Sequence, residues 1–168
     1  MIIAIVTLVI SFLYEGFISN YITSYFNNYN IFTTLYTLIA LVVLLPYFAN
    51  KKKYYILLLI FGLLIDIIYT NTFVFNTVIF IIASLFAGLM NNLLPNNIFS
   101  INLISVLSVI LYHIITFIIL SVLNYDVYSF KLLINIILNS IIMTIIYTSV
   151  VYYLTKLLFK KNEVTQIK

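Results

Sequence analysis

The stretch from Lys51 to Tyr69 reads KKKYYILLLIFGLLIDIIY: three lysines, a pair of tyrosines, then an apolar run broken only by Gly62 and Asp66. Cations and amphipathic rings at the edge of an apolar run of this length predict a transmembrane helix that starts at the cytoplasmic face. A carboxylate inside such a helix costs about 3 kcal/mol on insertion scales. Eleven Leu, Ile and Phe residues between Tyr54 and Tyr69 offset that cost at roughly −0.3 to −0.6 kcal/mol each. Counted from Tyr54 at about 1.5 Å per residue, Asp66 lies about 18 Å into a hydrocarbon core about 30 Å thick, just within its outer half. Gly62 sits one turn earlier on the same face and would let a neighbouring helix approach closely, so the pair marks a packing face.

The rest of the chain has the same character. Of 168 residues, 65% are hydrophobic, 17% aromatic and only 7% charged, against about a quarter charged in soluble domains. Apolar runs separated by polar or proline clusters predict an all-α, polytopic integral membrane protein with six transmembrane helices in one membrane domain. The spans fall at about 2–19, 31–48, 54–69, 73–94, 98–123 and 130–159. Strands of a membrane barrel would be nearer ten residues with alternating polarity. The first run lacks a basic leader and a small-residue cleavage site, so it reads as a retained span and not a signal peptide.

Orientation follows from the lysines. Lys51 to Lys53 lie between the second and third spans, and Lys156, Lys160 and Lys161 end the sixth. An even number of spans separates the two clusters, so the positive-inside rule places both, and both termini, in the cytoplasm. Set beside apolar runs, these cations suit anionic lipid headgroups as partners. They give little support to a nucleic-acid role. Tyr21, Tyr25, Tyr69, Tyr125 and Tyr128 fall at the expected outer interface.

Two further ionisable groups share the depth of Asp66. Glu15 ends a Thr7, Ser11, Glu15 series on one face of the first span, which should therefore face protein. His113 lies in the fifth span beside a Ser105, Ser108, Tyr112, Thr116 series. Glu15, Asp66 and His113 would suit structural hydrogen bonding, a proton relay or a polar pocket open to the outside. A metal site is disfavoured, because no two of them stand at a ligand-pair spacing on one helix. Lys131 and Asp126 stand near the outer end of the last span, and Ala83, Ala87, Ser84, Gly88, Asn135 and Asn139 read as helix contacts within the chain or with a partner.

Catalytic sets are missing. There is one histidine, no cysteine and three glycines. No metalloprotease helix, nucleophile elbow or phosphate loop occurs, so no enzyme activity and no cofactor are expected.

From Leu38 to Lys161 the pattern resembles the rod shape-determining protein MreD family. The likeness rests on a span ending Leu44-Leu45-Pro46 and a basic inner loop. Phe61-Gly62-Leu63-Leu64-Ile65-Asp66 follows, then a fourth span with Gly88 and a final helix tipped with lysines. Where that family commonly has a glycine soon after the aspartate, Tyr69-Thr70-Asn71-Thr72 stands here. The resemblance implies a non-catalytic subunit of the bacterial cell-elongation machinery in the inner membrane, binding the bitopic protein MreC, with Gly62 and Asp66 as the residues matching the motif. The MreD family is itself similar to the S component of energy-coupling-factor vitamin transporters. This supplies the alternative: a small-molecule pocket around Glu15, Asp66 and His113.

Overall fold

The computed structural model describes residues 1–18, 35–123 and 129–161. The expectations for Tyr21 and Tyr25 in the first joint, and for Tyr125, Asp126 and Tyr128 in the last, lie outside these residues. Among the described residues the regular structure is all helical. The helices are α1 (Ile2–Phe17), α2 (Tyr36–Leu44), α3 (Lys51–Ile65), α4 (Phe75–Leu93), α5 (Ile98–Val122) and α6 (Phe130–Lys161). The segments Lys51–Thr70, Phe75–Leu93, Ile98–Val122 and Phe130–Lys160 are each long and apolar enough to cross a membrane, whereas Ile2–Phe17 and Tyr36–Tyr47 are shorter. Four membrane-length helices therefore stand where six spans were expected. Residues 19–34, which lie between the two short helices in sequence, are outside the described residues.

The breaks have local causes. Pro46 lacks an amide hydrogen and ends α2 in a 3-10 turn, Leu45–Tyr47. Asn50 then caps α3, its side-chain oxygen accepting from the Lys52 amide at 2.9 Å. The triple lysine, read from sequence as part of a loop, is consequently the first turn of α3. Beyond Ile65 the helix widens into a π turn, Asp66–Thr70. Asn71 follows with left-handed backbone, φ 49° and ψ 39°. Glycine is the default for that conformation and Asn a tolerated substitute. Asn97 caps α5 through the Ser100 amide at 2.8 Å.

Helix α2 is the centre of the bundle. All nine of its residues are buried, and it touches α1, α4, α5 and α6. Short turns set α3 against α4 and α4 against α5, and α5 packs along α6. The 32 residues of α6 extend about 48 Å, well beyond a hydrocarbon core about 30 Å thick. Near its lysine end, Phe159 stacks on Tyr47 with ring centroids 4.4 Å apart. Tyr47 stands just before Lys51, so both lysine clusters occupy the same end of the bundle.

Several hydroxyls inside the apolar helices bond back to their own backbone. Thr7 donates to the Ile3 carbonyl at 2.9 Å, Ser11 to Thr7 at 2.8 Å and Thr144 to Ser140 at 2.7 Å. This satisfies polar groups where lipid offers none.

Candidate functional site

Asp66 is fully buried, and it is held by its own chain. Its Oδ1 accepts from Thr72 Oγ1 at 2.6 Å, the Asn76 amide at 2.8 Å and Asn76 Nδ2 at 3.0 Å. Its Oδ2 accepts from the Thr77 amide at 2.9 Å and Thr77 Oγ1 at 2.6 Å. Asn76 and Thr77 belong to the first turn of α4, whose amides have no partner within the helix. Asp66 thus caps α4 from the preceding helix, with its charge at the positive end of the α4 dipole. Val74, the residue before α4, has left-handed backbone and supplies no side-chain cap. Asn76 also donates to Thr70 Oγ1 at 2.9 Å and accepts from the Tyr112 hydroxyl. The network therefore ties α3, α4 and α5 together.

Gly62 serves the same joint. A Cβ built there would meet Thr77 Cα and Thr77 Oγ1 at 3.0 Å, tighter than nearly all real Cβ contacts. Removing that carbon lets the Thr77 backbone reach Asp66.

Glu15 plays a parallel part in α1. It is half-buried, and its Oε2 accepts from the Thr37 amide at 2.9 Å, in the first turn of α2. Leu35, the residue that precedes α2, offers no side-chain cap. Both intramembrane carboxylates therefore cap the N-terminus of a neighbouring helix. Next to Glu15, Gly16 leaves the space that the Tyr69 ring fills, and the Tyr69 hydroxyl donates to the Phe12 carbonyl at 2.8 Å.

His113 is buried on α5, with its ring edge against Tyr112 at 5.5 Å between centroids. Glu15 and Asp66 are thus held at different helix contacts, and His113 lies on a third helix, α5. Among the described residues no three His, Asp or Glu side chains form a group able to hold a metal ion. A carboxylate has about four lone-pair sites, and five donors already address Asp66, so neither oxygen stands open for a ligand or a proton transfer.

Sequence reading missed Asn76, Thr77 and Thr37. Their signal was present as polar residues at the start of apolar runs. The spacing that joins them to Asp66 and Glu15 crosses a turn, where helical periodicity carries no information.

The open feature lies elsewhere. A groove of about 520 Å³ runs between α1 and α6, lined by Val6 and Ile10 on one wall and Ile146, Val150 and Leu154 on the other. Tyr14, Tyr36 and Tyr147 gather in it, with Tyr36 and Tyr147 rings 4.7 Å apart. Tyr147 donates to Ser11 at 2.8 Å, so the series of polar residues on α1 does face protein at that point. No protein-family profile, curated protein or solved structure matches this chain.

Proposed function

We propose that this chain is a non-catalytic membrane scaffold subunit of the bacterial cell-elongation complex, six-spanning with both termini cytoplasmic, which receives the transmembrane helix of a bitopic MreC-like partner. The observation that carries this reading is the contrast between filled and open sites. The buried carboxylates are used up as helix caps, while the α1/α6 groove offers an apolar, elongated surface with a few hydroxyls at one end. An apolar helix suits such a surface better than a polar substrate does. The gathering of both lysine clusters at one end supports the orientation. Family assignment rests on the resemblance through Leu44-Leu45-Pro46, Gly62, Asp66 and Gly88.

The alternative, an S component of a vitamin transporter, calls for a polar pocket shared by Glu15, Asp66 and His113. The separate hydrogen-bond commitments of Glu15 and Asp66 weigh against it. Depletion in the native host, scoring cell shape and vitamin uptake together, tests both. Rounding with normal uptake supports the scaffold, and lost uptake with normal shape would replace it with the transporter.

A further inference from the structure

Asn135 and Asn139 point away from the bundle. On α6 the buried series is Ser140, Thr144, Thr148 and Thr155. At about 100° per residue, Asn135, Asn139, Ile142, Ile146 and Tyr153 fall on the opposite side. All five are exposed, and neither asparagine has a hydrogen-bonding partner among the described residues. Lys131 and Lys156 bracket the membrane part of α6. Asn139 lies eight residues inward of Lys131, about 12 Å. The separation of the two lysines exceeds a core about 30 Å thick by only about 8 Å, so Asn139 falls within hydrocarbon on any centred placement. A short amide at that depth cannot reach the headgroups, and its donors and acceptor go unsatisfied in lipid.

From these positions we infer that the outer face of α6 is a self-association surface, on which a second copy of this chain packs about a two-fold axis along the membrane normal. Copies in one membrane share an orientation, so their α6 helices meet in parallel. The two-fold then sets Asn135 and Asn139 at the same depth as their counterparts. An amide carries both donor and acceptor, so identical amides facing across the axis complete each other. Any other partner would need a matching polar group at that depth, whereas a second copy has one by symmetry. The spacing agrees: Asn139, Ile146 and Tyr153 recur every seven residues, and Asn135 and Ile142 are likewise seven apart. This is the interlocking repeat of a parallel helix pair, in which a polar residue at one core position fixes register and pairing. The inference stands apart from the proposed scaffold role, and its face, centred on Asn135, Asn139 and Ile142, meets the α1/α6 groove only at Ile146.

The chain contains no cysteine, so single thiols report contact without background. Full-length Ile142→Cys and Leu59→Cys, the latter on the exposed face of α3, would be oxidised in native membranes at low expression. Ile142→Cys should give a disulfide-linked species of twice 19.5 kDa, and Leu59→Cys should not. Adding Asn135→Leu and Asn139→Leu to Ile142→Cys should lower the dimer roughly three- to tenfold, the range that interhelical amide bonds support in membranes. Leucine favours insertion and touches nothing else in the bundle, so a loss of dimer would not come from a loss of helix. Equal cross-linking by the two thiols, an undiminished dimer after the leucine changes, or capture of Ile142→Cys by a different protein would each overturn the inference.

Discussion

Asp66 shows how a charge is tolerated inside an apolar helix. Two of its hydrogen bonds come from backbone amides that would otherwise be unpaired in lipid, and three come from side chains. Thr77→Val preserves shape while deleting the Oγ1 donor, and it should destabilise the protein by about 1.5–3 kcal/mol, the range for a hydrogen bond to a charged group. Asp66→Ala removes the acceptor for every donor and should cost more than Thr77→Val. Thermal melts followed by far-UV circular dichroism in detergent check both, and an Asp66→Ala midpoint equal to wild type would show that the cap contributes nothing. Gly62→Ala forces α3 away from Thr77 and should lose about 1–3 kcal/mol by overpacking in the same assay. The Gly62 and Asp66 pair was legible in the sequence because both lie on one helix, where a spacing of four means one face. Its partners were not. Asn76 and Thr77 are brought back by a π turn and by left-handed Asn71 and Val74, and nothing in hydrophobic periodicity announces such a turn.

At the level of elements, helices were visible as apolar runs, but what each helix does was not. Helix α2 is as apolar as its neighbours, yet it alone is buried on every side, because α1, α4, α5 and α6 all pack against it. The capping of α2 by Glu15 explains why a carboxylate ends the series of polar residues on α1. Glu15→Gln retains an acceptor for the Thr37 amide and should shift stability little. Glu15→Leu removes it and should cost about 1 kcal/mol, the usual worth of a helix cap. A comparison of the two melting midpoints distinguishes capping from charge: a glutamine variant as damaged as the leucine variant would mean that the negative charge, and not the acceptor, matters. The boundaries of α3 were misplaced for a related reason. Lysines read as loop by their charge, but Asn50 starts the helix before them and their side chains extend from its first turn.

Over the described residues as a whole, the separate contacts produce a bundle with a closed interior and a groove along one seam. The carboxylate caps hold α2 to α1 and α4 to α3, and Asn102 joins α5 to α6 through Ser149 at 3.1 Å. Between α1 and α6 the connection is thinner: Tyr147 and Ser11 bridge it at one end, and the groove remains along the rest. A seam of this kind in a membrane is filled by lipid chains or by a helix, and the two can be told apart. The chain has no tryptophan, so Val150→Trp places a single fluorophore in the groove while also filling it. In bilayers containing brominated lipid the fluorophore should be quenched as strongly as a tryptophan at Leu138, which is exposed on the outer face of α6. Such quenching would show that lipid occupies the seam when the protein is alone. Co-expressed with a bitopic partner, Val150→Trp should reduce co-purification roughly tenfold, about 1.4 kcal/mol, at unchanged melting midpoint, whereas Leu138→Trp should leave partner recovery intact. Full recovery with Val150→Trp would move the partner's helix away from the groove, because a bulky ring there cannot share the space with a docked helix.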